Sequence, residues 1–201
     1  FNNKKIGKHS FASCFSFHPV KNLAMPTGGL ISLNHKNHKN LARKLKSLRW
    51  CGISNRKNTD YDVTEIGNNY YMNEFSAVIG RIQLKKLEKL NKIRLKIAKR
   101  YDEELNCNLK MPFDEECSYH LFWIRVKNRN KFRKVLHKEN IETGIHYPPV
   151  HNFQLYKKKN NLKLDVTETI TKEIVTIPIH PNLTHTQIDK IIKIINMNFE
   201  A

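Results

Sequence analysis

The sequence predicts an α/β chain in two parts joined by one long helix, and three observations carry that reading. Phe11 to Phe17 and Leu30 to Leu33 read as strands flanking a proline-containing loop. The stretch from Asn73 to about Leu105 has no proline and only Gly80 as a weak helix former. After Met111-Pro112, short apolar runs alternate with helical patterns, as in a small α+β unit. The domains expected on this basis are residues 1–105 and 106–201.

Cys14 to Phe17 reads as the end of a buried strand. Pro19 forces the chain out of the sheet, because its ring fixes φ and it offers no N–H to a ladder. Lys21 therefore lies just past a strand end, where α/β sheets place ligand sites. A lysine there can condense with an aldehyde cofactor, and the hydroxyl of Ser16 can donate to a phosphate; in a chain with 36 Lys and Arg, spacing alone leaves a solvated surface lysine as the alternative.

A helix follows from about Asn37 to Leu48, with Leu41, Leu45 and Leu48 on one face. Residues Ser54 to Asp62 are polar and are expected to form a loop. Between residues 73 and 105, Phe75, Ile79 and Ile82 and then Leu90, Ile93, Ile97 and Tyr101 recur at helical spacing, with Asn73 as the cap. Such a helix would be roughly 50 Å long, at about 1.5 Å per residue.

Leu121 to Val126 is expected as a strand, Asn130 to Glu139 as a helix and Ile141 to Tyr147 as a second strand. Lys157-Lys158-Lys159 reads as a turn. Ile174 to Ile179 is a third strand, ended by Pro178 and Pro181. Thr184 and Gln187 make a capping box for a last helix, whose stripe of Ile188, Ile191, Ile192 and Ile195 is core packing.

Composition excludes several classes. In 201 residues no apolar run approaches the ~20 that a membrane-spanning helix needs, so no membrane partner is expected. Phe1 to Lys8 carries no apolar h-region, so no secretory signal is expected there. Cys14, Cys51, Cys107 and Cys117 show no C-x-x-C spacing; four free thiols and a cytoplasmic setting follow. The net charge of +18 is spread along the chain rather than clustered and comes with no nucleic-acid motif, so a solvated basic surface is expected and nucleic acid is not an expected partner.

Phe15 to Leu23, read as F-S-F-H-P-V-K-N-L, resembles the cofactor-lysine motif of the DegT/DnrJ/EryC1/StrS sugar aminotransferases. The similarity continues in order through Thr27-Gly28-Gly29, Leu48-Arg49-Trp50-Cys51-Gly52, the run from Gly67 to Glu74 and Gln83-Leu84. It then takes in His120-Leu121-Phe122, Gly144-Ile145-His146-Tyr147 and the run from Ile177 to Pro181.

The resemblance implies the aspartate-aminotransferase-like fold (fold type I), with residues 1–105 as the last part of the large cofactor domain plus the linking helix, and 106–201 as the small domain. It implies pyridoxal 5′-phosphate as cofactor, a nucleotide-linked keto-sugar as substrate, an amino-acid donor such as glutamate, and a homodimer, in bacterial surface-glycan or related sugar synthesis. Lys21 would be the catalytic residue, with Ser16 and Asn69 on the cofactor phosphate, Asn69 reaching it from the neighbouring subunit. The family's preceding segment, with the aspartate that pairs the pyridine nitrogen and the ring-stacking residue, has no counterpart here, so this chain alone is expected to be inactive.

His18, which flanks the lysine loop, and His146, Tyr147 and His151, which resemble the segment that faces the nucleotide-sugar diphosphate in the family, are candidates for facing the substrate, each with a structural role as the alternative. For Asn69 the alternative is an ordinary Asx turn before a helix. Tyr71 stands where the family commonly has arginine, which leaves open how charged parts of the substrate are held. A zinc site on His146 and His151, with His120 or His180, lacks a thiolate or tight ligand spacing, and no metal is expected. Two further functions remain alternatives. A sugar dehydratase of the same family would carry histidine in place of Lys21, and a non-catalytic, basic nucleic-acid-binding protein would need selective binding.

Overall fold

The strand β1 (Ala12–Ser16) pairs antiparallel with β2 (Gly29–Leu33), from Ala12 opposite Leu33 to Ser16 opposite Gly29. The computed structural model describes residues 4–157 and 163–199. The chain divides into two compact units, Phe1–Glu88 and Lys89–Ala201. The division falls inside the long helix α2 (Glu74–Glu104). Of the basic run expected as a turn, Lys157 ends a short helix and Lys158 and Lys159 lie outside the described residues.

In the first unit, Cys14 and Ser16 are exposed and Phe15 and Phe17 half-buried, so the strand end expected to be buried is covered on one side only. Helix α1 (His38–Arg49) sits where its leucine spacing places it, with Leu41, Leu45 and Leu48 half-buried. Its C-terminal carbonyls are taken up by backbone N–H groups. Trp50 and Gly52 donate to Ser47 at 3.0 and 2.9 Å, Asn68 donates to Leu48 at 3.0 Å, and Tyr70 donates to Arg49 at 2.9 Å. Gly52 has φ +78, and a Cβ there would overlap the Glu65 carbonyl.

The polar segment expected as a loop is instead a hairpin, β3 (Ile53–Lys57) with β4 (Asp60–Val63). Every residue of β4 is exposed, so its Asp-Tyr-Asp-Val alternation buries neither face, and the strand sits in a stretch whose composition is mostly polar. The turn is made by Asn58 at φ 54, a conformation asparagine tolerates.

Asn73 caps α2 as expected, its Oδ1 accepting from Ser76 N–H at 2.8 Å. Gly80 leaves room for Met25, which is 5% exposed; a Cβ there would press on the Met25 thioether. On the same turns of the helix Phe75, Val78 and Ile82 are exposed. Among the described residues no helix is long and apolar enough to cross a membrane.

The second unit is built on β5 (Phe122–Arg125) and β6 (Ile174–Ile177), paired antiparallel. Bridges extend this sheet on both sides, from Lys110 to Ile124 and from Gly144 to Thr176. Phe122 and Ile124 alternate inward from β5 at 0% exposure and meet Val175 and Ile177 of β6. The sheet packs with α3 (Arg129–Lys138), which contributes Phe132 and Leu136, and with Ile97 and Tyr101 of α2. Helix α6 (His185–Asn198) buries Ile188, Ile191, Ile192 and Ile195, the stripe its sequence announces, and the Thr184–Gln187 capping box is formed in both directions.

Residues 141–147, expected as a strand, do not form one. Only Gly144 pairs with Thr176, by two bonds of 2.9 Å. The Arg133 guanidinium takes the Thr143 hydroxyl and carbonyl at 2.9 and 3.1 Å, so the backbone there is satisfied from α3. β6 ends at Ile177, and the Pro178 carbonyl accepts from the buried Tyr101 hydroxyl at 2.7 Å. All four cysteines are free thiols, Cys14 and Cys51 exposed and Cys107 buried; burial pushes the Cys107 thiol up to about 11.

Candidate active site

Lys21 lies in the connection between β1 and β2, half-buried in a closed loop. Two backbone bonds close it: Phe17 N–H donates to Gly28 O at 3.1 Å, and Met25 N–H donates to Phe17 O at 2.8 Å. Lys21 N–H in turn donates to His18 O at 2.8 Å. The strand end, Pro19 and the lysine thus stand in the order the sequence predicts.

The Ser16 hydroxyl oxygen accepts from His18 N–H at 3.2 Å. Its own proton is therefore available to donate outward, which suits a phosphate oxygen. The His18 ring is likewise engaged, Nδ1 accepting from Val20 N–H at 3.4 Å, while the residue is exposed. An amine, a hydroxyl donor and a loop closed by its own backbone fit an aldehyde-bearing phosphate cofactor.

Ser16 is paired across the ladder with Gly29, and Gly29 is on the wall of a cavity of about 420 Å³. That cavity is lined by residues 27–29, Arg49 and residues 69–72. The structure thus places Asn69 beside residues 27–29 of its own chain; Ser16 and Lys21 are not on the wall. Asn69 Oδ1 accepts from Tyr71 N–H at 3.2 Å, so the Asx turn considered from the sequence is present, and it leaves Nδ2 free to donate.

Arg49 and Tyr71 are a pairing the sequence reading missed. The guanidinium carbon of Arg49 stands 4.8 Å from the centre of the Tyr71 ring, Tyr71 lies 6.2 Å from Trp50, and Arg56 stands 4.7 Å from the Trp50 ring. The signal available beforehand was Tyr71 in place of a basic residue.

The second unit holds its own cavity, of about 700 Å³, with His120, His146 and His180 on its wall. His146 Nδ1 is hydrogen-bonded to the Thr176 hydroxyl at 2.7 Å, and its ring meets Tyr147 edge-on at 4.8 Å. Tyr147 is 60% exposed. Burial holds the His180 imidazole below its ordinary range, and the nearby Arg94 cation adds to that, so it is neutral at pH 7. Arg94 is itself 9% exposed, with Nε and Nη1 lacking a partner.

His151 is held apart from this group. Its Nε2 lies 2.6 Å from Glu168 Oε1, and that contact keeps the Glu168 carboxyl below the usual range. The sequence grouped His146 and His151 as one segment; the fold gives one a cavity and the other a carboxylate partner. Among the described residues, no three His, Cys, Asp or Glu side chains are grouped as a metal ion would need.

The DegT/DnrJ/EryC1/StrS aminotransferase family model matches residues 1–196. A UDP-4-amino-4,6-dideoxy-N-acetyl-beta-L-altrosamine transaminase of Campylobacter jejuni is 31% identical over 91% of this chain and 51% of its own length. A dTDP-3-amino-3,6-dideoxy-alpha-D-galactopyranose transaminase of Aneurinibacillus thermoaerophilus is 34% identical over 98% of this chain and 54% of its own. Among solved structures, the Helicobacter pylori aminotransferase PseC, involved in pseudaminic acid biosynthesis, superposes with a TM-score of 0.90 at 28% identity, covering 99% of this chain and 56% of PseC. The chain spans about half the length of the curated relatives it matches.

Proposed function

Because this chain belongs to the DegT/DnrJ/EryC1/StrS aminotransferase family, with the aspartate-aminotransferase-like fold, we propose that it works in a pyridoxal-phosphate-dependent transfer of an amino group, from glutamate, to a nucleotide-linked keto-sugar. The observation that carries this reading is Lys21 in its closed loop, five residues after a serine whose hydroxyl proton is free. The transaminase names of the relatives point to the same substrate class. We assign residues 1–105 to the end of the cofactor domain and 106–201 to the small domain, and the working unit to a cytoplasmic homodimer serving surface-glycan or related sugar synthesis.

The cofactor supplies an electron sink for the pair left on carbon when the donor's Cα–H bond breaks. Lys21 Nζ would hold the cofactor by its aldehyde group and, when free as an amine, would carry the donor's Cα proton. Ser16 Oγ–H and Asn69 Nδ2–H donate to the phosphate and fix its position. In the small domain, His146 has Nδ1 committed to Thr176 and presents Nε2, with Tyr147 and the neutral His180, to sugar hydroxyls. His18, exposed at the edge of the lysine loop, is assigned to face the substrate. His151, tied to Glu168, holds the segment after Tyr147 in place.

The full-length protein loaded with pyridoxal phosphate and treated with borohydride tests this reading. Peptide mapping is expected to find the reduced cofactor on Lys21, and the Lys21→Ala protein is expected to form no 2-oxoglutarate from glutamate. Labelling at another lysine, or none, would overturn it.

A further inference from the structure

Among the described residues of the first unit, Met25 is the one large apolar side chain that is buried, at 5% exposure. It lies over Gly80 of α2. A Cβ built on Gly80 would come 2.5 Å from the Met25 sulfur, 2.8 Å from its methyl carbon and 3.2 Å from its Cγ, so the side chain runs flat across the helix backbone. A glycine inside a helix costs about 1 kcal/mol relative to alanine, and the room it gives Met25 accounts for its presence in the middle of α2.

The same residue closes the loop that carries Lys21. Met25 N–H donates to Phe17 O at 2.8 Å, and Lys21 stands midway between those two ends. The Met25 methyl carbon also approaches Gly28, where a Cβ would meet it at 3.6 Å, and Gly28 O takes the Phe17 N–H at 3.1 Å. One side chain therefore ties both closing bonds of the loop to α2. Among the described residues the Lys21 amine has no hydrogen bond or ion pair of its own, so it stands where the loop carries it.

We propose that Met25, seated on Gly80, is a positioning residue for Lys21: the contact holds the loop on α2 and so fixes where the lysine amine meets the cofactor aldehyde and the donor's Cα proton. The inference rests on the role proposed for Lys21 above. Met25 acts through the loop and not on the substrate. Its leverage is large, because a misplacement of about 1 Å can cost about 100-fold in rate.

The test uses the full-length, cofactor-loaded protein. Gly80→Ala forces Met25 off its seat, and the glutamate half-reaction is expected to slow about 10-fold or more with KM for glutamate little changed. Met25→Ala, which leaves the loop unanchored, is expected to slow it as well, and Met25→Leu, which keeps the volume, to retain most of the rate. The double variant Gly80→Ala/Met25→Ala is expected to be no slower than Met25→Ala alone, since the added methyl no longer meets a thioether.

Two readouts separate positioning from stability. The pH midpoint of the bound cofactor's absorbance is expected to shift in Gly80→Ala. Thr184→Ala, destabilised at the cap of α6, is expected to keep the parent rate and midpoint. A Gly80→Ala protein with the parent's rate and midpoint overturns the proposal, as does a double variant slowed by the full product of the two single losses. A protein that takes up no cofactor sinks the aminotransferase reading instead, and reductive methylation with formaldehyde then decides on Met25. Lys21 is expected to be labelled faster in Gly80→Ala than in the parent, with the exposed Lys85 unchanged; equal rates at Lys21 overturn the proposal.

Discussion

His146 Nδ1 lies 2.7 Å from the hydroxyl of Thr176, so the orientation of an imidazole on one segment is set by a buried residue of β6. The two backbone bonds between Gly144 and Thr176 hold the segments in register, and the side-chain bond then fixes the ring. Thr176→Val keeps the shape and both backbone bonds but removes the hydroxyl. It is expected to cost about 1 kcal/mol of stability, the usual worth of one neutral hydrogen bond. KM for the nucleotide-sugar is expected to rise while cofactor absorbance stays the same. A variant as stable as the parent, with an unaltered KM, would show that this bond orients nothing that matters.

Asn69→Ala tests the phosphate contact of the proposed cofactor site. Because Asn69 also accepts from Tyr71 N–H at 3.2 Å, Asn69→Asp is the second variant, keeping the turn and losing the Nδ2 donor. Both are expected to lower cofactor affinity by about 10-fold or more, as one bond to a charged group does. If Asn69→Asp binds pyridoxal phosphate like the parent, the residue serves its turn alone.

His180 carries a pH dependence whose sign follows from its surroundings. Burial, with Arg94 adding to it, holds the folded-state pKa below the unfolded value of 6.5. Between those two values the unfolded chain binds more protons, so stability rises with pH there. The contribution is complete above the unfolded value and is lost as pH falls through the folded one. The His180 Cε1–H resonance is expected to titrate below 6.5 and to move up in Arg94→Met; a midpoint at or above 6.5 in the parent protein would be the contrary result.

The capping box at α6 offers a stability test remote from any site. Thr184 accepts from Gln187 N–H at 3.2 Å, and the Gln187 side chain accepts from Thr184 N–H at 2.9 Å. Thr184→Ala is expected to cost about 1 kcal/mol and Thr184→Ser close to nothing. Denaturant unfolding reads the difference, and equal midpoints for the two variants would remove the cap as a stabilising contact.

Periodic and local features were legible in the residue order alone. The isoleucine stripe of α6, the Thr184–Gln187 box, the Asn73 cap and the leucines of α1 depend on neighbours a few positions apart, so their spacing carries their structure. The placement of Lys21 just past the end of β1 was legible for a similar reason: a strand end, a proline and a lysine follow one another in the chain, and the turn bond from Lys21 N–H to His18 O is local. The β3–β4 hairpin was not, because both strands are short and mostly polar, β4 is exposed throughout, and the four-residue alternation of Asp60 to Val63 is too brief to stand out from a loop. Residues 141–147 misled for the opposite reason. Their apolar residues fit a strand, but Arg133 of α3 takes the Thr143 carbonyl, and only contact between distant segments decides that. The same holds for the two cavities. Nothing in the order of residues brings Tyr71 against Arg49, or His120, His146 and His180 to one wall; the closure of α1 onto residues 68–70, and of residues 144–146 onto β6, does.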